Sequence, residues 1–129
     1  MHAADTNVVV RLLVRDDASQ LERAIDLFRN EAVWIGLTVI LETEWVLRRS
    51  YNYTPRDIGA AFAHLAGLPR VSVENPAALA QALRWYETGM DFADALHACS
   101  MGPATMFRTF DRDLARVFRK TGDDRVAML

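Results

Sequence analysis

The sequence lacks several features on which common classes of protein depend. Its 129 residues contain one cysteine, Cys99, so no internal disulfide can form and a reducing cytoplasm is the expected setting. No apolar run approaches membrane-spanning length, and the N-terminus has no basic segment followed by an apolar one, as a secretory signal would. The six glycines are scattered singly, which excludes a glycine-rich phosphate-binding loop. These absences favour one cytoplasmic globular domain over residues 1–129.

The positions of the histidines and serines also exclude some kinds of catalytic site. His2, His64 and His97 do not combine with Cys99 at the spacing of zinc ligands. The serines lie in no nucleophile-elbow motif, so a serine triad has no support. Zinc chemistry and serine-based acyl transfer are therefore not expected.

The charge balance leaves two interpretations open. The net charge of −2 does not favour a nucleic-acid partner, yet all but one of the 15 basic residues are arginine, whose planar fork suits phosphate. Five basic residues lie between Arg108 and Lys120, against two acids, Asp111 and Asp113. If several acids were neutralised by a bound metal, the remaining surface would be basic on balance. An ordinary solvated surface rich in arginine explains the charges equally well.

Short strand-like and helix-like segments alternate along the chain. Strands are predicted at 2–5, 33–37, 70–74 and 104–110. Helices are predicted at 20–29, from Thr38 as the cap to Ser50, from Thr54-Pro55 to Gly67, from Asn75-Pro76 to Gly89, from Asp91 to Gly102-Pro103, and at 113–120. Residues 8–14 fit a strand by propensity and a helix by spacing. This alternation predicts an α/β fold with a parallel sheet, whose ligands gather at the carboxyl ends of the strands.

Four acids in four different segments are the most informative residues: Asp5, Glu42, Asp94 and Asp111. Each stands at the edge of an apolar stretch, where a carboxylate is costly unless its desolvation is offset. If the fold brings the four together, their repulsion is tolerable only with a divalent cation between them. An all-oxygen pocket suits Mg²⁺ or Mn²⁺. Metal-dependent cleavage of a phosphodiester is the leading hypothesis.

Each acid also has an ordinary structural explanation. Asp91 can cap the helix that it begins, with Asp94 reaching back from the third helical position. Asp111 or Asp113 can cap the last helix, and Glu42 can be a first-turn acid favoured by the helix dipole. Asp5 is expected to close a strand with no helix to cap, so its alternative is an Asx turn with the next two residues.

Two acids on the same helix are expected to differ. Glu44 has Arg48 four residues later, in the favourable acid-first order, and this pair should satisfy it. Glu42 has no basic side chain placed to pair with it on its own face. Glu42 is therefore the stronger candidate for a metal ligand.

Taken together and in order, segments 5–13, 37–48, 91–98 and 109–114 resemble the PIN-domain ribonucleases, particularly the VapC-type toxins of bacterial toxin–antitoxin pairs. The resemblance covers nearly the whole chain. It implies a helix over residues 8–14 and a three-layer α/β/α sandwich around a parallel sheet of four or five short strands. His2-Ala3-Ala4 is less hydrophobic than the usual first strand of that family, and Arg108 stands where an apolar strand residue would be expected.

The resemblance also implies a function and a set of residues. The metal-binding and catalytic acids would be Asp5, Glu42, Asp94 and Asp111, with Asp91 and Asp113 as possible additional ligands. Mg²⁺ or Mn²⁺ would be the cofactor, RNA the substrate, and an antitoxin protein the partner of a homodimer.

Three other functions are weaker fits. A non-catalytic PIN-like module that binds RNA or protein would have no need of four costly acids. A receiver-type phosphoacceptor domain needs an aspartate that closes a middle strand and a lysine that closes a late one, and neither Asp57 nor Lys120 is so placed. A phosphatase of the haloacid dehalogenase type needs a second aspartate two residues after the first, where Asn7 stands.

Overall fold

The computed structural model describes all 129 residues, which form five short strands and seven helices. The strands are β1 (His2–Ala3), β2 (Val33–Ile35), β3 (Val71–Val73), β4 (Phe107–Thr109) and β5 (Val126–Met128). The helices are α1 (Thr6–Val14), α2 (Ala18–Asn30), α3 (Leu37–Ser50), α4 (Pro55–Ala66), α5 (Pro76–Glu87), α6 (Phe92–Cys99) and α7 (Arg112–Lys120). The ambiguous segment 8–14 is helical, and β5 was absent from the predicted elements.

All strand pairs are parallel, which confirms the predicted α/β arrangement, but the strands divide into two groups. β1 pairs with β2 and β2 with β3, so that Val33 stands opposite both His2 and Val71. β4 pairs with β5 alone, with Phe107 opposite Val126. β1 has only two residues, both exposed, and neither is one of the β-branched residues that extend buried parallel strands. No ladder therefore links β1 to β4.

Two helix starts follow the predicted cap-then-proline signal. Thr54 Oγ1 accepts a hydrogen bond from the backbone N–H of Asp57 at 3.2 Å, and the Asp57 carboxylate accepts one from the N–H of Thr54 at 3.2 Å. This reciprocal capping box satisfies two N–H groups that the first turn leaves free. Asn75 caps α5 through a bond from the N–H of Ala78 at 3.1 Å.

The predicted cap of α3 is wrong. Thr38 is already inside the helix and exposed, and Gly36 is the cap residue, without a side chain to accept a bond. Glu74, which follows β3, replaces that missing acceptor, because its carboxylate accepts a hydrogen bond from the N–H of Leu37 at 3.2 Å. A carboxylate from a neighbouring strand end thus stabilises the positive end of α3.

All four predicted strands, and the predicted helix that begins at Asp91, are longer than the elements observed. α6 ends at Cys99, with Ser100 as its cap, instead of continuing to Gly102-Pro103. Gly102 has a left-handed φ of 60°, and Pro103 disfavours a helical conformation in the residue before it, so the chain leaves the helix earlier. β4 occupies only residues 107–109 of the predicted 104–110.

Aromatic contacts join α4, α5, α6 and α7. The Phe92 ring of α6 lies 6.0 Å from that of Phe62 in α4 and 5.1 Å from that of Tyr86 in α5. Trp85 and Phe118 meet edge to face at 5.0 Å, which packs α7 against α5. Phe92 is the first residue of α6, so its contacts lie next to Asp91, whereas Phe118 anchors α7 near its end. None of the seven helices is both long and apolar enough to cross a membrane.

Candidate active site

Asp5 stands where β1 leads into α1, and it does have a helix to cap. Its carboxylate accepts a hydrogen bond from the N–H of Thr6 at 2.8 Å, and its backbone is extended, as is usual for an N-cap residue. The expectation that Asp5 has no capping role is therefore wrong, because the helix begins two residues earlier than the sequence pattern suggested. The remaining carboxylate surface is exposed.

Asp5 and Glu42 line the same cavity, which we call the α1–α3 cavity, with a volume of about 340 Å³. One face of α1 and one face of α3 form most of its wall, since the lining residues of each helix recur at spacings of three or four. The lining residues are Asp5, Thr6, Asn7, Val10, Arg11, Glu42, Val46, Ser50 and Tyr51. The structure thus brings together two of the four predicted acids.

Arg11 is the cation of this cavity, and three different segments hold it. Its Nε donates to Gln20 Oε1 at 2.6 Å, and its Nη1 donates to the Tyr51 hydroxyl at 3.2 Å and to Asp16 Oδ1 at 3.4 Å. Tyr51 in turn donates to Asp16 Oδ2 at 2.9 Å. The sequence analysis missed this role, although the four-residue spacing of Asn7 and Arg11 places both on one face of α1.

Asp91, Asp94 and Asp111 form a second group, which we call the α6–α7 acids. Asp91 caps α6 as predicted, accepting a bond from the N–H of Asp94 at 3.1 Å. The Asp94 carboxylate is half-buried and makes no hydrogen bond in return, so the reciprocal half of the predicted capping box is missing. Asp111 caps α7 through the N–H of Leu114 at 3.0 Å.

Burial raises the pKa of Asp94 above its ordinary value, and the nearby charges of Asp91 and Asp111 raise it further. The exposed His97, one turn later on α6, acts weakly in the opposite direction. The charges of Asp91 and Asp111 therefore repel the Asp94 carboxylate in the folded protein. An added cation would relieve that repulsion.

Asp113 and Glu44 differ from these acids because each has a cationic partner. Asp113 is exposed and pairs with Arg116 at 3.1 Å. Glu44 is buried and accepts from Arg48 Nε at 2.9 Å, as predicted, and from the Tyr86 hydroxyl at 3.1 Å. Burial, followed by the charge of Glu44, raises the pKa of Tyr86, so the phenol keeps its proton and remains a donor. These contacts satisfy Glu44.

The four predicted metal ligands are of the right chemical type for a divalent cation, but they do not lie close enough together to bind one ion. None of Asp5, Glu42, Asp94 and Asp111 takes part in an ion pair, and all offer carboxylate oxygens, which Mg²⁺ and Mn²⁺ prefer. No three Asp, Glu, His or Cys side chains are close enough together to hold one ion. The α1–α3 cavity and the α6–α7 acids would have to draw closer to share a cation.

A larger cavity, of about 670 Å³, lies elsewhere, between α1, α2 and α4. Its lining is mostly apolar and includes Leu12, Phe28 and Leu65, and it contains none of the predicted acids. Size alone would have pointed to this groove. The unpaired carboxylates place the candidate site at the other end of α1.

Comparison with known proteins gives one match. The family model described as PIN domain matches residues 3–120, a range that includes all four acids and both groups. No curated protein and no solved structure matches the chain significantly.

Proposed function

The chain belongs to the PIN domain family, and we propose that it is a metal-dependent endoribonuclease that acts as the toxin of a toxin–antitoxin pair. PIN domains are generally nucleases. The observation that carries the finer proposal is the set of acids without ion-pair partners, Asp5, Glu42, Asp94 and Asp111. Asp5, Asp94 and Asp111 lie at the starts of α1, α6 and α7, whereas Glu42 lies in the second turn of α3 and is not the first-turn acid that was expected. Among them Asp94 has a raised pKa, and carboxylates with perturbed pKa values cluster at functional sites.

In this proposal the acids hold Mg²⁺ or Mn²⁺ at the RNA backbone. A divalent cation supplies charge neutralisation and Lewis acidity at a phosphodiester. The pKa of Asp94 is raised by burial and by the charges of Asp91 and Asp111, so a cation beside it would favour its ionised form. Asp91 can add an oxygen because its capping bond uses only one carboxylate oxygen. Asp113 is a poorer ligand, since it is exposed and paired with Arg116.

The direct test uses purified protein and a labelled single-stranded RNA, with Mg²⁺, Mn²⁺ or EDTA. We expect cleavage with either cation and none in EDTA. Undiminished cleavage in EDTA would contradict the metal mechanism. RNA binding without cleavage under every condition would favour the alternative, a non-catalytic PIN-like module that binds RNA or protein.

The toxin role implies a protein partner, for which the resemblance to VapC-type toxins is the support. An antitoxin that inserted a cation, such as an arginine, among the unpaired acids would form charge-assisted bonds there. The same resemblance supports a homodimer. We expect growth arrest when the chain is expressed alone, rescue by a co-expressed partner from a neighbouring short reading frame, and a dimer by analytical ultracentrifugation. Normal growth together with purification free of any partner would contradict the toxin role.

A further inference from the structure

The α1–α3 cavity contains a cation as well as two acids, and the proposed chemistry leaves that cation unused. Arg11 lines the cavity together with Asp5 and Glu42. A polyanion that approached two carboxylates would be repelled by them. A fixed guanidinium beside those carboxylates offsets part of that repulsion and supplies a contact for a phosphate.

The hydrogen bonds of Arg11 hold its side chain and leave one edge free. Nε and Nη1 are engaged by Gln20, Tyr51 and Asp16, whereas Nη2 makes no hydrogen bond. Gln20 comes from α2 and Tyr51 follows α3, so these two partners fix the plane of the guanidinium. A guanidinium that is already ordered loses less conformational entropy when it binds an anion.

The ion pair with Asp16 is weak enough for a phosphate to compete with it. Its Nη1–Oδ1 distance is 3.4 Å, and the Asp16 side chain is 43% exposed. Exposed pairs of this kind contribute little to stability. The Asn7 amide and the Ser50 hydroxyl, which line the same cavity, can donate further hydrogen bonds to phosphate or ribose.

We propose that Arg11 binds a backbone phosphate of single-stranded RNA next to the one that is cleaved, and so positions the scissile phosphodiester beside Asp5 and Glu42. This subsite rests on the proposed ribonuclease function. Tyr51 and Gln20 are its positioning residues, and Asp16 competes with the RNA for Arg11.

The competition between Asp16 and RNA for Arg11 can be tested, because a purely structural ion pair predicts a different result. Arg11→Gln and Asp16→Asn both remove the same pair, so a structural role predicts that both weaken RNA cleavage through lost stability. The subsite predicts opposite effects. Arg11→Gln should raise KM about tenfold, the size of one charge-assisted hydrogen bond, with little change in kcat. Asp16→Asn should lower KM.

Salt dependence identifies the contact as one with phosphate. We would measure kcat/KM with Mg²⁺, and fluorescence anisotropy of the same labelled RNA in EDTA, over a series of KCl concentrations. Loss of one phosphate contact on a single strand should reduce the slope of log affinity against log salt by about 0.7. Arg11→Lys keeps the positive charge and loses the planar guanidinium. It should therefore keep the wild-type salt slope and show a KM between those of the wild type and Arg11→Gln.

Arg29→Gln and Asp26→Asn are the matched controls. Both residues are exposed on α2, one turn apart, and neither forms an ion pair. The end of α2 leads into β2, so they lie towards the sheet edge opposite Asp5. We expect KM and slope to stay at the wild-type values in both variants, and melting temperatures identify any variant that fails to fold.

The outcomes separate the subsite from the nuclease itself. If the wild type cleaves RNA and Arg11→Gln keeps its KM and its slope, the subsite is contradicted and the nuclease stands. If Asp16→Asn raises KM as Arg11→Gln does, the pair is structural and the subsite is likewise contradicted. RNA binding that depends on Arg11 without any cleavage would retain the phosphate contact and remove the nuclease. Neither binding nor cleavage by the wild type would overturn both.

Discussion

The α1–α3 cavity and the α6–α7 acids differ in the positive charge that lies near their carboxylates. In the cavity, Asp5 and Glu42 share their surroundings with Arg11, a cation held by three hydrogen-bonding partners. At the starts of α6 and α7, the charges of Asp91 and Asp111 act on the half-buried carboxylate of Asp94, and none of these three acids forms an ion pair. The deficit of positive charge is therefore greatest at Asp94. We infer that the α6–α7 acids depend most on an added metal, whereas the cavity can contact RNA through its own arginine.

The largest expected effect is on catalysis by Asp94→Asn. Asparagine keeps the shape of the side chain and removes its charge, so the fold should survive and cation binding should not. We expect cleavage with saturating Mg²⁺ to fall by about a thousandfold, the order observed when one electrostatic contact to a transition state is removed. Cleavage rates and melting temperatures of both proteins provide the measurement.

Asp91→Asn is the matched control for that variant. An asparagine still caps α6, because its side-chain oxygen can accept the bond from the N–H of Asp94. We expect at least partial activity. Normal cleavage by Asp94→Asn with none by Asp91→Asn would reverse the roles of the two residues, and normal cleavage by both would place the site elsewhere.

Glu44 and Glu42 lie on the same helix and allow a carboxylate with a cationic partner to be compared with one that has none. Removing the Glu44 carboxylate leaves Arg48 and the buried hydroxyl of Tyr86 without their partner. We expect Glu44→Ala to lower the free energy of unfolding by about 3 kcal/mol, the low end for a broken buried pair because Arg48 is 39% exposed. Urea denaturation provides the measurement.

Glu42→Ala should do the opposite, with cleavage lost and stability retained, since Glu42 is exposed and unpaired. A large loss of stability in Glu42→Ala would show that this carboxylate is structural. Unchanged stability in Glu44→Ala would mean that the buried pair contributes nothing to the fold.

A smaller effect is expected from the cap of α6. Asp91→Ala removes the acceptor for the N–H of Asp94 and should lower the free energy of unfolding by about 1 kcal/mol. Asp91→Asn should restore most of that loss, as measured by urea denaturation of both variants. An alanine variant as stable as the wild type would mean that the repulsion relieved among the α6–α7 acids equals the lost cap.

The smallest effect concerns pH in metal-free buffer. The pKa of Asp94 is raised above 3.8, its ordinary value, so between the two values the folded state binds more protons than the unfolded state. The free energy of unfolding must therefore fall as pH rises through that interval. We expect Asp94→Asn to gain stability relative to the wild type above pH 3.8 and then to level off. Parallel profiles of the two proteins in EDTA would contradict the raised pKa of Asp94, which burial and then the charges of Asp91 and Asp111 cause.

Local signals in the sequence predicted the parts of the fold that local chemistry determines. Thr54-Pro55, Asn75-Pro76 and Asp91 each begin a helix as expected, because a capping side chain and its N–H target lie within four residues. The cap of α3 was missed because its acceptor, Glu74, comes from a distant segment. β5 was missed because three residues near the chain end, paired only with β4, leave too short a pattern.

The candidate acids could be named from the sequence, but their division into two groups in the fold could not be predicted. The acids were found because unpaired carboxylates beside apolar segments are costly wherever the chain folds. Arg11 was overlooked, since its partners Gln20, Tyr51 and Asp16 lie nine, 40 and five residues away. The separation of Asp5 and Glu42 from the α6–α7 acids likewise depends on helix packing, which periodicity alone does not fix.

The central proposal is that the α1–α3 cavity and the α6–α7 acids draw together around one cation, and titration with Mn²⁺ tests it most directly. Free Mn²⁺ would be measured by electron paramagnetic resonance in the wild type, in Asp5→Asn and in Asp94→Asn, with Asp113→Asn as the control. We predict saturable binding by the wild type and the control, and affinity at least about tenfold weaker in each of the other two, the scale of perturbing one contact in a metal site. Wild-type affinity in Asp5→Asn beside lost binding in Asp94→Asn would show that the two groups do not form one metal site.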